Sequence, residues 1–370
     1  MSLALGLVGL PNAGKSTLFN ALVRAGSRGA PGAAVASYPF TTIDPNLGQV
    51  PVPDERLAAI AAITHPQRIV PATIRFIDIA GLVRGASKGE GLGNRFLAHI
   101  RDVDAVIHVV RGFASADVAH VDGALDPVRD ADVVETELAL ADLETVERAI
   151  ERAASRAKAQ EVGAREQVAM LRRLADGLAQ GVPMRRQRLE AAERALIGDL
   201  RLLTAKPVIY VANVDEASLP DGGPHAHALR ALADRQGAVW IVLAARLEAE
   251  LGDLPEEEAK AYLASLGLTE PVLPRLIHAS YALLGLVSFF TVLSDEVRAW
   301  SVPAGTTAVD AAGRIHTDMA HGFIRAEVIA WQPLVAAGSL HAARERGAIR
   351  LEGRDYLVAD GDVITFRFSP

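Results

Sequence analysis

The stretch "GLPNAGKST", Gly9 to Thr17, decides the fold. It closes the apolar run "LALGLVGL", opens a helical pattern, and fits G-x-x-x-x-G-K-[ST] in the strand–loop–helix context that this pattern requires. A chance match somewhere in a chain of 370 residues is roughly a 1% event, and the context makes it rarer, so a merely structural glycine turn is the weaker reading. Charge dictates the roles. The main-chain amides of Asn12, Ala13, Gly14, Lys15, Ser16 and Thr17 point at phosphates from a helix N-terminus, the Lys15 ammonium neutralises β and γ oxygens, and the Ser16 hydroxyl ligates magnesium. Asn12 is also placed to ligate a monovalent cation, potassium, beside the phosphates.

Further along, "FIDIAG" supplies the second half of such a site. Asp78 ends an apolar strand, where its carboxylate holds magnesium through water, and Gly81 brings a backbone N–H to the γ-phosphate. An aspartate at a strand end is common. Paired with the phosphate loop and followed by the glycine-rich "GLVRGASKGEGLGNRF", it gains a specific meaning. Between the two halves, "SYPFTTIDPN" offers Thr41 and Thr42 as the second magnesium hydroxyl, with Thr42 preferred; the plainer alternative is a solvated turn before a strand. The residue after Gly81, where a glutamine would orient the attacking water, is Leu82, which neither donates nor accepts a hydrogen bond. Another group must place the water. His120, in "FASADVAHVDG", is the candidate by position, although a lone histidine in a loop is more often a surface residue, and His99 and His108 are expected on a helix and in a strand. Lys15, Gly81 and His120 are therefore the expected catalytic set.

The base end of the site falls in "VIYVANVDE", residues 208–216, a buried strand closed by an Asn with an acid three residues on. A guanine-nucleotide switch protein would read Asn-Lys-x-Asp here. Its carboxylate accepts hydrogen bonds from N1–H and the exocyclic amine of guanine, whereas adenine presents an acceptor at N1 and a donor at N6. In this chain the acid is Glu216, one methylene longer, and the stacking lysine is replaced by Val214. Asn213 can still serve any purine through N7, and Val214 can offer main-chain groups to an adenine edge, so guanine specificity is weakened. The alternative, a strand end without base contact, is disfavoured because the phosphate loop demands a base pocket. "LAARLEAEL", from Leu243, supplies the last pocket loop, backing the base with Ala244, Ala245 and Arg246.

Strand-like runs alternate with helical patterns around these motifs, which suits a parallel sheet covered on both faces. From about Ala131 to Leu203 the text turns charged and Ala/Leu-rich with apolar residues at three- and four-residue spacing, as in a helical, coiled-coil hairpin inserted between two strands. After Leu284, strand-like runs with turn signals enclose one short helical piece, "TAVDAAGRIH", the pattern of a small ubiquitin-like mixed sheet. The expected organisation is an α/β P-loop nucleotide domain over residues 1–125 and 204–283, an inserted helical domain over 126–203, and a small β domain over 284–370. A net charge of −7 argues against nonspecific nucleic-acid binding, leaving RNA contact to a local patch on the helical or C-terminal segment. There is no cysteine, so thiolate metal sites, disulfides and thiol redox control are excluded. No stretch approaches the roughly 18 apolar residues of a membrane span. A soluble, cytoplasmic protein is expected.

Taken together, "GLVGLPNAGKSTLFNAL", "YPFTTIDPNLGQVPVPDERL", "FIDIAGLVRGASKGEGLGNRFLAHIRDVDAVIHVV", "VANVDE" and "EVRAWSVPAGTTAVDAAGRIHTDMAHGFIRAEVI" resemble the YchF family of Obg-like ATPases, essentially from end to end. The resemblance implies that the C-terminal β domain is a β-grasp (TGS) domain. It matches Leu82 to the family's hydrophobic replacement of the catalytic glutamine, Thr42 to its magnesium threonine and His120 to its proposed catalytic histidine. It matches Asn213 and Glu216 to the family's Asn-x-x-Glu, and implies hydrolysis of ATP at least as good as that of GTP, together with association with the ribosome and its large subunit. Two other expectations compete with a slow ATPase: a GTP-specific switch of the same fold, and a nucleotide-gated binding module whose hydrolysis is incidental. The segment "AGSRGAPGAAVASYPF" departs from the family pattern by being a few residues longer and richer in Gly and Ala.

Overall fold

The structure is a computed structural model that describes residues 3–27, 47–79, 81, 85, 92–114, 125–293 and 295–369. Among these, the strands in chain order are β1 (Ala4–Val8), β2 (Leu47–Pro51), β3 (Arg68–Val70), β4 (Thr73–Asp78), β5 (Ala105–Arg111) and β6 (Val208–Asn213). They continue as β7 (Val239–Leu243), β8 (Leu286–Val292), β9 (Glu296–Pro303), β10 (Phe323–Ala330), β11 (Arg350–Glu352) and β12 (Asp362–Phe368). The chain divides into two compact units, one made of residues 1–21 and 76–272, the other of residues 22–75 and 273–370.

The first unit is a mixed α/β P-loop fold. Its strands run in the order β4-β1-β5-β6-β7, and the pairs β1–β5, β5–β6 and β6–β7 are all parallel. Every residue of β1, β5 and β6 is buried, which is why their text is almost continuously apolar rather than alternating. The β1 strand has β4 on one side and β5 on the other, so the order of travel through the sheet reverses beside it. The loop after β1 therefore opens at a topological switch point, the place where ligands sit in open α/β sheets. As expected, His108 lies within β5 and His99 on the helix Leu92–Arg101.

The helix Pro127–Lys158 bridges two cores. Asp126 caps it by accepting from the Arg129 N–H at 3.1 Å, with proline at its first position. Its first turns bury Ala131, Val134, Leu138 and Ala141 with residues of the sheet. Its later turns bury Val146, Ala149 and Ala153 against Leu171, Leu174 and Leu178 of the helix Ala164–Ala179 and against Ile197. The return to the sheet is fixed by Asp142, whose carboxylate accepts from the main-chain N–H groups of Leu203 and Thr204 and from the Thr204 hydroxyl, each at 2.7 Å. A buried carboxylate needs such donors, and burial still pushes its pKa upward.

The second unit holds a mixed sheet in the order β11-β10-β12-β8-β9-β3. The helix Ala308–Ile315 buries Ala308, Ala311 and Ala312 over Phe289, Val328 and Ile364, as the short helical pattern led one to expect. Two features go beyond that expectation. The strand β3, three residues from the first quarter of the chain, pairs in parallel with β9, and "WQPLVAA" and "LHAARE" form short helices after β10. Among the described residues no helix is long and apolar enough to cross a membrane.

Candidate functional site: a phosphate loop and a base-pocket turn

The loop between β1 and the helix that begins at Lys15 is shaped by close backbone approaches. A Cβ on Gly9 would lie 2.2 Å from the Val109 carbonyl oxygen, and one on Gly14, whose φ is +91°, would lie 2.1 Å from Nδ2 of Asn213. Only glycine fits these places, and Asn12 takes the left-handed conformation with φ 63°. The loop is thus held open by its glycines, while Ser16, Thr17 and Asn12 remain exposed at its mouth.

Lys15 is buried, and its ammonium folds back to donate to the Leu10 carbonyl at 2.9 Å. Burial lowers its pKa to about 8, with the nearby Asp78 acting in the opposite direction, so the group is predominantly charged at neutral pH. The Ser16 hydroxyl donates to Oδ2 of Asp78 at 2.6 Å, which joins the helix start to the end of β4. The other carboxylate oxygen, Oδ1, is buried and has no hydrogen-bond partner among the described residues. A hydroxyl and a half-satisfied carboxylate at the mouth of a phosphate loop fit magnesium, which is bound by one or two carboxylates together with substrate phosphates and water. Gly81 approaches the loop from β4: a Cβ there would lie 3.0 Å from the Pro11 nitrogen and 3.1 Å from its Cα. Lys15, Ser16, Asp78 and Gly81 are therefore brought together. Thr41, Thr42, Leu82 and His120 lie outside the described residues. Beneath the loop, Leu10, Pro11 and Ala13 face His108 and Arg111 across a cavity of about 10 Å³. Burial lowers the His108 pKa to about 4, leaving the imidazole neutral at physiological pH.

At the base end, Asn213 is buried and both ends of its amide are engaged. Its Nδ2 donates to the Ala13 carbonyl at 2.9 Å, and its Oδ1 accepts from the Ala245 N–H at 2.9 Å. One side chain thus fastens the phosphate loop to the start of the helix Ala245–Leu251, which its own Ala244 cannot cap. Among the described residues the second Nδ2 hydrogen has no partner. Val214 has its side chain in the main core and donates its N–H to the Leu243 carbonyl at 2.9 Å, so of its main-chain groups the carbonyl is what remains to offer a base. Asp215 caps the following turn, accepting from the N–H and hydroxyl of Ser218 at 2.9 and 2.6 Å. Glu216 is half-buried, and its Oε1 accepts a 2.5 Å hydrogen bond from the Tyr262 hydroxyl. Sequence reasoning did not single out Tyr262. It comes 46 residues later, on a helix whose first turn is acidic, and no local motif marks it. The Arg246 side chain is almost wholly exposed and paired with Glu250 at 2.9 Å.

Comparison with known proteins supplies the rest. A family model described as a 50S ribosome-binding GTPase matches residues 4–147, and the C-terminal model of the YchF GTPases, described as a protein of unknown function, matches residues 286–369. The chain is 48% identical over 369 residues to the ribosome-binding ATPase YchF of Haemophilus influenzae, covering 100% of both chains. It is 46% identical over 371 residues to the protein of the same name from Bacillus subtilis, again covering 100% of both. Among solved structures it resembles the YchF GTPase of Schizosaccharomyces pombe, with a TM-score of 0.88, 35% identity, and 99% and 98% of the two chains covered.

Proposed function

This chain belongs to the YchF family, and from that premise we propose that it binds a magnesium–nucleoside triphosphate and hydrolyses it slowly, preferring ATP to GTP, and that it associates with the ribosome through the large subunit. The observation that carries the nucleotide reading is the assembly of buried Lys15, the Ser16–Asp78 hydrogen bond and the orphaned Asp78 oxygen around a glycine-shaped loop. The ribosomal reading rests on the names of relatives that match over their whole length.

In this reading the amides of Asn12 to Thr17 and the Lys15 ammonium gather the phosphates, exchanging the Leu10 carbonyl for phosphate oxygens. Ser16, Asp78 and Thr42 would hold magnesium, which would supply positive charge to offset that of the phosphates. Gly81 presents its N–H to the γ-phosphate, and His120 orients the attacking water in place of a glutamine. Asn12 holds potassium beside the phosphates, a point that equal turnover in potassium and sodium buffers would remove. At the other end Asn213 meets the purine at N7 with its remaining Nδ2 hydrogen, Val214 its edge, and Ala245 backs the ring. The helices of residues 126–203 act as a coiled-coil insertion and residues 284–370 as a TGS domain, carrying the surfaces for RNA or protein contact.

The test is steady-state hydrolysis of ATP and GTP with and without magnesium, coupled to co-sedimentation with ribosomes in the presence of ATP or a non-hydrolysable analogue. Magnesium-dependent ATP turnover with nucleotide-sensitive sedimentation supports the reading. Sedimentation that is equal with ATP, analogue and no nucleotide would instead favour a binding module whose hydrolysis is incidental.

A further inference from the structure

A carboxylate recognises guanine as a fork, with its two oxygens turned to one edge of the base to accept from N1–H and from the 2-amino group. Glu216 is already engaged on one oxygen. Its Oε1 accepts from the Tyr262 hydroxyl at 2.5 Å, a short charge-assisted hydrogen bond that also fixes the plane of the carboxylate. The tyrosine ring is fixed in turn, for it packs against the cluster of Ala244, Leu247, Leu251 and Leu263, which includes the start of the expected last pocket loop. The carboxylate also raises the tyrosine pKa, as expected of a hydroxyl that donates to a negative oxygen. One lone pair of Oε1 and both of Oε2 remain. The bond to the tyrosine, however, draws negative charge from the carboxylate and competes with any further donor at Oε1, so the pair of bonds that guanine N1–H and its 2-amino group would make is weakened.

We propose that Tyr262 is a positioning residue that sets purine selectivity, by engaging one oxygen of Glu216 and so weakening a guanine fork. This rests on the reading, made above, that residues 213–216 face the base. No motif announces it, because the hydroxyl arrives from a distant helix.

The experiment is equilibrium titration of the full-length protein and of its Tyr262→Phe and Glu216→Ala variants with ATP, GTP and inosine triphosphate in magnesium buffer. Inosine triphosphate keeps N1–H but lacks the 2-amino group, so it isolates the second arm of the fork. In the unsubstituted protein GTP and inosine triphosphate should bind within about twofold of each other. In Tyr262→Phe, GTP should tighten by about tenfold relative to both ATP and inosine triphosphate, the scale of one hydrogen bond to a charged group. An unchanged GTP-to-inosine ratio overturns the proposal, as does an equal loss for all three nucleotides, which would make the hydroxyl a packing contact only. Glu216→Ala separates the two readings. If it shifts the purine ratios while Tyr262→Phe does not, the tyrosine inference alone fails; if it leaves all three affinities unchanged, Glu216 does not face the base and the base-pocket reading fails with it.

Discussion

The two ends of the nucleotide site are built differently. The phosphate end, Gly9 to Thr17 with Asp78, is made of backbone amides, glycines, one lysine and a hydroxyl; its lysine bonds locally to Leu10, and its hydroxyl reaches Asp78, 62 residues on, in a second short motif. The base end, Asn213 to Glu216, is made of side chains whose partners come from 32 to 200 residues away: Ala13, Ala245 and Tyr262. The lesson is that a site whose chemistry is carried by main-chain geometry keeps its meaning in a short string of letters. A site whose side chains are pre-engaged by distant partners does not.

The comparison breaks most severely at Lys15. Lys15→Ala removes a buried cation from the glycine-shaped loop, so ATP turnover should fall by at least about a hundredfold, as when a single electrostatic stabiliser is removed elsewhere; single-turnover phosphate release measures it. Turnover within a few-fold of the unsubstituted protein would dissolve the phosphate end as described.

Asn213→Ala tests the fastening between the two ends. It leaves the buried Ala245 N–H without its acceptor and the Ala13 carbonyl without its donor, so unfolding in denaturant should show a loss of about 1–3 kcal/mol. Nucleotide affinity should fall for ATP and GTP alike, since N7 is common to both purines. A loss for one purine only would contradict the N7 contact.

The smallest expected effect lies in the floor under the phosphate loop. His108 has a folded-state pKa of about 4 against an ordinary 6.5, because burial disfavours its charged form. The unfolded chain therefore binds the proton first. Stability is full above pH 6.5 and is lost as the pH falls from 6.5 toward 4, by about 2 kcal/mol at pH 5. Melting temperatures between pH 7 and 5 should decline less steeply in His108→Leu than in the unsubstituted protein, and parallel slopes would contradict the assignment.

How much of this was legible beforehand follows the same division. Gly9, Gly14, Lys15, Ser16 and Asp78 could be named from spacing alone, because glycine, lysine and a hydroxyl are dictated by phosphate chemistry and by backbone approach. The central strands were legible because full burial writes itself as unbroken apolar text. The strand β3 was not, since three residues carry no periodicity and its pairing with β9 spans more than two hundred positions. Nor was the double engagement of Asn213, or the Tyr262 hydroxyl on Glu216, for neither helix patterning nor motif spacing encodes which distant group will fill a hydrogen bond.

The central claim is that a guanine-type site has been converted at its base end while its phosphate end was kept. The measurement that addresses it most directly is a paired equilibrium titration of the unsubstituted protein with magnesium–ATP and magnesium–GTP under one set of conditions. The account predicts saturable binding of both with the lower Kd for ATP; a Kd for GTP tenfold or more below that for ATP would contradict it.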